Sequence, residues 1–179
     1  MRARGFTLFD TAIGACALAW GESGIVAAWL PEADAEATRQ RVRRRMPGVP
    51  EAAPPAEVQQ AARRIVALLA GGTDDLRDVV LDWSRVPALH RRVYEAARAV
   101  GPGRTVTYGE LAQALGEPGS AREVGQALGR NPFPVLVPCH RVLAAGHRPG
   151  GFSAPGGVDT KFRLLQIEGG LSGGEPQLF

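Results

Sequence analysis

The sequence predicts an α/β scaffold over residues 1–86, followed by a mostly helical unit over residues 87–179 that contains a helix-turn-helix. Three observations carry this. Short runs of alternating or β-branched residues, separated by glycines, fill the first thirty positions. Two S/T-x-x-E capping signals, Thr107 to Glu110 and Ser120 to Glu123, start consecutive short helices in the second half. Charge also divides between the halves. Residues 1–84 carry 10 Arg against 11 Asp+Glu, whereas residues 85–179 carry 10 Arg and one Lys against 7 acids. A basic second half suits a polyanionic partner, although a solvated surface would give the same count.

Taken in order, Phe6 to Asp10, Ala15 to Trp20 and Ile25 to Leu30 read as strands, turned by Gly14 and by the stretch from Gly21 to Gly24. Cys16, Leu18 and Trp20 alternate onto one face, so Cys16 is expected to be structural. Glu32 to Arg45 is charged and helix-permissive. Its run from Arg41 to Arg45 favours a solvated helix face over a nucleic-acid contact. Met46 to Pro55 is a proline-rich loop. Ala56 to Ala70 is an amphipathic helix with Val58, Ala62, Ile65 and Leu69 on one face, stopped by Gly71 and Gly72. Val79 to Trp83 is expected to return as a strand. Nothing in this half looks chemical.

The second half opens with a helix from Pro87 to Val100, in which Leu89, Val93, Ala97 and Val100 share a face. The first capped helix then runs to Gly116 and the second from Ser120 to about Gly129, across a turn at Glu117-Pro118-Gly119. Ala121, Gly125 and Ala127 keep the second helix thin, with Arg122 in its first turn. Small residues permit close approach to a groove floor, and an arginine there can reach between bases or hold phosphates. Pro132, Pro134 and Pro138 then fix the backbone around Val135-Leu136-Val137, which reads as a brief buried strand ending at Cys139-His140-Arg141. Asn131, ahead of Pro132, can tie two segments together through its amide. A glycine-rich loop from Gly146 to Gly157 precedes a last helix, Thr160 to Glu168, capped by Asp159, with Phe162, Leu165 and Ile167 inward.

The bulk numbers exclude several classes. At 179 residues with 45% hydrophobic and 22% charged content, the chain is an ordinary globular one. No apolar run is long enough to span a bilayer, and no secretory leader pattern is seen, so a cytoplasmic protein with no membrane partner is expected. Cys16 and Cys139, with His90, His140 and His147, give no zinc-ligand spacing, so neither metal nor cofactor is expected. Lys161 stands alone among 20 arginines, which hints at a role needing an ammonium.

The segment Asn131 to Val142, with its Pro-Cys-His-Arg core, resembles the active-site signature of the O6-alkylguanine-DNA alkyltransferases. The likeness extends to Thr105–Ala112, to Ala121-Arg122, to Gly150–Ser153, and from Lys161 to Glu168-Gly169. It implies a ribonuclease-H-like N-terminal α/β domain and a helical C-terminal domain with a helix-turn-helix. It implies a monomer acting on double-stranded DNA that contains O6-alkylguanine, with O4-alkylthymine left open. The alkyl group moves irreversibly to Cys139, once per molecule, after the base is flipped out of the duplex. Residue by residue, it implies that Glu168 orients His140, which deprotonates Cys139 through a water, while Asn131 holds backbone near the site. Tyr108 serves the leaving guanine, Arg122 fills the gap in the stack, and Lys161 supports the pocket. The Cys139 and Val142 carbonyls and the Ser153 backbone contact the base, with Phe152 at the wall.

Some positions depart from the family pattern. Phe152 stands where several relatives have tyrosine. Tyr94 replaces a tryptophan, which is expected to affect only packing. The loop from Ser153 to Lys161 is two residues longer than in the shorter-looped relatives. Two other classes fit part of the pattern: a DNA-binding module that does no transfer, and a cysteine hydrolase using Cys139 and His140.

Overall fold

The computed structural model describes residues 3–116, 120–147 and 156–169, apart from the side chain of Val158. Within these, β1 (Gly5–Thr11), β2 (Gly14–Gly21) and β3 (Gly24–Trp29) form an antiparallel sheet in that order. The alternation in β2 sorts its residues as expected. Cys16, Leu18 and Trp20 join one apolar cluster, and Ala17 and Ala19 join another on the opposite face. Gly24 is required at its turn: its φ is +128°, and a Cβ would lie 2.7 Å from the Val80 carbonyl oxygen.

The second face is closed by α1 (Ala35–Arg45), which starts at Asp34 rather than Glu32 because the Asp34 carboxylate accepts from Ala37 N. Buried Thr38 anchors it, donating to Ala15 O at 3.1 Å and accepting from Glu32 N at 3.0 Å. The first face takes α2 (Ala56–Leu69), whose Val58, Ala62, Ile65 and Leu69 are buried as the periodicity predicts. Gly71, at φ +102°, follows it.

Val79 to Trp83 does not form the expected strand. It makes one isolated parallel bridge, Ile25 to Leu81. Two backbone hydrogen bonds tie it to β3, Ile25 N to Val80 O at 3.1 Å and Asp82 N to Ile25 O at 2.8 Å, while the buried Arg98 guanidinium donates to Val79 O and to Leu76 O, each at 2.8 Å. Leu76 itself is fully buried at φ +57°, a conformation costly for leucine and held by these bonds and its packing.

The second half contains α3 (Ala88–Arg98), α4 (Tyr108–Ala114), α5 (Ala121–Gly129) and α6 (Gly157–Glu168). On α3, Val93, Tyr94 and Ala97 are buried, but Leu89, one turn earlier on the same face at the start of the helix, is 38% exposed. Thr107 caps α4 as expected, accepting from Glu110 N at 3.1 Å. Ser120 makes no such bond to α5, so the second capping signal is not realised there. Asp159 is inside α6 rather than before it, because Gly156 and Gly157 at positive φ start the helix earlier. The sheet-to-α2 cluster continues without a break into α3, α4 and α5 through Leu76, Tyr94, Leu111, Val124 and Phe133. Among the described residues no helix is long and apolar enough to cross a membrane.

Arg98→Met keeps the buried stem and removes both charged hydrogen bonds to the 76–79 turn. It should lower unfolding free energy by about 2–4 kcal/mol, read as a lower urea midpoint at unchanged slope.

Candidate active site

The residues from 131 to 142 do not form the predicted strand. Val135 adopts φ +74°, and the chain folds back so that Val137 N donates to Phe133 O at 2.7 Å. The cause is Asn131. Its amide donates to Val137 O at 2.9 Å, and its Oδ1 accepts from Phe133 N at 2.8 Å. The loop's polar groups are therefore met within the loop itself. Pro132 O is tied outward, accepting from Ala28 N of β3 at 2.9 Å. The chain leaves this turn as one turn of 3₁₀ helix, Cys139–Arg141, and then pairs as β5 (Val142–Leu143) in parallel with β4 (Val106–Thr107). Val106 pairs with Val142 and Thr107 with Leu143, so Tyr108, the first residue of α4, directly follows the paired strand.

Cys139 is 9% exposed, and His140, Arg141 and Lys161 are at most 1% exposed. Both cysteines are free thiols, so Cys139 has no disulfide to Cys16. Burial raises the Cys16 thiol to about 12, consistent with a structural role. Burial also raises the Cys139 thiol, and the Asn131 side chain and the Lys161 ammonium pull it back. At rest this sulfur holds its proton and needs a base.

That base stands next in sequence. His140 Nε2 lies 2.9 Å from Glu168 Oε1. Arg141 donates to the same carboxylate twice, Nε to Oε2 at 2.9 Å and Nη2 to Oε1 at 2.7 Å, and its Nη1 donates to Val100 O at 2.7 Å. Burial raises Glu168, but the hydrogen bonds from His140 and Arg141 outweigh it and hold the carboxyl at about 2. Burial depresses His140. We read the imidazole as neutral, because Arg141 already neutralises the carboxylate and the ring is fully enclosed. An ionised carboxylate only accepts, so Nε2 carries the imidazole proton and Nδ1 is left as the basic atom. Nδ1 is buried and has no partner among the described residues.

Lys161 Nζ donates to Val142 O at 2.7 Å and lies 5.8 Å from the centroid of the Tyr108 ring. Burial lowers it to about 8. Burial raises the Tyr108 phenol, so it remains a donor. Of the two carbonyls expected to meet the base, Val142 O accepts from Lys161 Nζ and Cys139 O accepts from Val142 N. A carbonyl has two lone pairs, so each can accept a second bond.

On α5, Arg122, Glu123, Gln126 and Gly129 are exposed and Ala121 and Gly125 are half-buried. A Cβ on Gly125 would meet nothing within 4 Å. Ala127 belongs to the core instead of the thin face, and Gln126 takes a place on that exposed face. Tyr94 does more than pack. Its hydroxyl donates to Ala127 O at 2.6 Å, fixing α3 to α5. Phe152 and Ser153 lie outside the described residues. The main residue that the sequence pattern leaves without a role is Arg141. Its place in the signature is the available signal, but its carboxylate partner is 27 residues away.

Residues 88–170 match the family model of the 6-O-methylguanine DNA methyltransferase DNA-binding domain. The methylated-DNA–protein-cysteine methyltransferase of Methanothermobacter thermautotrophicus is 34% identical over 150 residues, 84% of this chain and 77% of that one. The DNA base-flipping protein of Thermus thermophilus is 42% identical over 133 residues, 73% of this chain and 88% of its own. The crystal structure of Mycobacterium tuberculosis OGT in complex with DNA superposes with a TM-score of 0.72 at 33% identity, covering 92% of each chain.

Glu168→Gln leaves the Arg141 guanidinium without its counter-charge, at a cost of about 3–5 kcal/mol near neutral pH. The wild-type carboxyl falls from 4.5 to about 2 on folding, so its contribution is complete above 4.5 and is lost as pH drops toward 2. Urea midpoints should therefore fall less steeply with acid across that window in Glu168→Gln than in the wild type.

Proposed function

The chain belongs to the methylated-DNA–protein-cysteine methyltransferase family, and from that membership we infer a DNA repair protein that moves an alkyl group from O6 of guanine onto the sulfur of Cys139. The observation that carries the residue assignments is the enclosed Glu168–His140–Arg141 network adjoining a buried thiol. We read α4 and α5 as the helix-turn-helix, with α5 toward DNA, and the β1–β3 sheet with its helices as the ribonuclease-H-like domain. The working form is taken to be a cytoplasmic monomer.

In this reading His140 Nδ1 accepts a proton from a water that takes one from Cys139, and Glu168 holds the imidazole for that transfer. The thiolate then attacks the alkyl carbon. An S–C bond forms, the C–O6 bond breaks, and its electron pair leaves on guanine. The Tyr108 hydroxyl hydrogen-bonds N3 as charge builds on the purine, and the Lys161 ammonium balances the thiolate before transfer. A thioether offers no ready leaving group, so each molecule acts once. Arg122, exposed in the first turn of α5, fills the space vacated by the everted nucleotide, with Ala121 and Gly125 allowing the helix to come close.

A second reading is a protein that everts a modified base and transfers nothing. The name of the Thermus relative favours it, and Cys139 opposes it.

After mixing with duplex carrying O6-methylguanine, mass spectrometry should find one methyl on the Cys139 peptide, with product stopping at one equivalent per protein. Unmodified protein would leave the second reading, and continued turnover would mean a hydrolase. Cys139→Ser should abolish transfer and retain DNA affinity. Arg122→Ala should slow transfer from duplex by roughly tenfold or more, since extrusion costs a few kcal/mol, and leave attack on free O6-benzylguanine near the wild-type rate. Equal loss on both substrates would remove the extrusion role.

A further inference from the structure

A cavity of about 830 Å³ opens between β3 and the Asn131 turn, lined by Val26, Trp29, Leu30 and Phe133 and reaching Cys139. Four arginines from separate parts of the chain line it: Arg41 and Arg45 on α1, Arg85 ahead of α3, and Arg130 just past α5. Asp82 is the single acid lining it besides them. Arg41 is held by Glu32 at 3.1 Å. Arg45, Arg85 and Arg130 are exposed, and their side chains make no hydrogen bond or ion pair with any described residue. Elsewhere on the surface some arginines pair with acids, Arg39 with Glu36 and Glu51, Arg64 with Asp74 and Asp78, and Arg91 with Glu95, whereas Arg44, Arg63, Arg77 and Arg104 stand singly without a described acid partner. Arg45, Arg85 and Arg130 thus line one cleft against a single acid, Asp82, which Arg85 already acts on electrostatically, and the excess of positive charge favours an anion there.

The position of Arg130 says which anion. It follows α5 directly, and Arg122 lies in the first turn of the same helix. Eight residues of helix cover about 12 Å at 1.5 Å each, which is three to four nucleotide steps at about 3.4 Å per strand. Arg130 closes the C-terminal end of α5, and Arg85 and Arg45 line the same cleft as Arg130. We propose that this cleft is a second phosphodiester site, which grips the backbone of duplex DNA where it leaves α5. The proposal rests on the reading of α5 as the DNA-facing helix. It lengthens the footprint onto the N-terminal half and places DNA charge against the turn that carries Asn131.

The test uses lesion-free duplex, so it reads binding independently of any transfer to Cys139. For Arg45→Gln/Arg85→Gln, the slope of log affinity against log salt should become shallower by about 2, at roughly 0.9 for each phosphate that is no longer neutralised. An unchanged slope overturns the proposal. If the double variant does not fold, phenylglyoxal labelling of the wild type decides the matter. At one protein per duplex, DNA should shield Arg45 and Arg85 along with Arg122. Shielding of Arg122 alone overturns the proposal. Shielding of Arg45 and Arg85 only when protein exceeds duplex assigns the cleft to a second copy of the chain and likewise overturns it. Loss of shielding at Arg122 as well would instead remove the reading of α5.

Discussion

The Glu168 carboxylate, at the last turn of α6, receives three hydrogen bonds from two neighbouring side chains of a segment nearly thirty residues earlier. Its side chain is 1% exposed, as is that of Arg141, and His140 is completely enclosed. An ionised carboxylate at that depth is tolerable only because a guanidinium meets it two-fold and supplies the opposite charge. With the charge balanced by Arg141, His140 need not be protonated to pair with Glu168. The imidazole is thus left neutral and oriented, which is the state a general base requires. Arginine sets the electrostatics, and histidine is free to do the chemistry.

That arrangement depends on how three remote segments are brought together. Arg141 also reaches Val100 O beyond the end of α3, so one side chain joins α3, the cysteine segment and α6. Lys161, also on α6, reaches back to Val142 O and lies near Tyr108 at the start of α4. Tyr94 fixes α3 to α5. The helix read as facing DNA and the thiol are therefore held by one set of buried polar contacts, inside an apolar cluster that starts on the N-terminal sheet. Among the described residues the N-terminal half supplies no side-chain hydrogen bond to the Glu168 network, but it braces the Asn131 turn through Ala28 and Pro132.

Legibility in the sequence followed the range of the forces. The three strands, the inward Cys16, α2 and the Thr107 cap rest on local alternation, periodicity or spacing, and they were readable. Two failures share a physical source: a distant or side-chain partner took a polar group that local pattern assigned elsewhere. Asn131 turned a β-branched run into a loop with Val135 at positive φ, and Arg98 took the Val79 carbonyl, leaving the segment after it with two hydrogen bonds to Ile25 of β3. Leu89 fits its helical face by spacing, yet at the first turn of α3 it is only partly covered. The candidate site was readable by type, with thiol, imidazole, carboxylate and lone lysine all named. The part played by Arg141 was not, because a guanidinium beside a histidine shows no partner until α6 is folded against it.

Imidazole ¹⁵N NMR of the unalkylated protein near neutral pH tests the central point most directly. Nε2 of His140 should show a proton-bearing, pyrrole-type signal and Nδ1 an unprotonated, pyridine-type signal, and the pattern should be lost in Glu168→Gln. A proton on Nδ1, or a fully protonated ring paired with Glu168, would contradict a neutral base held ready beside Cys139.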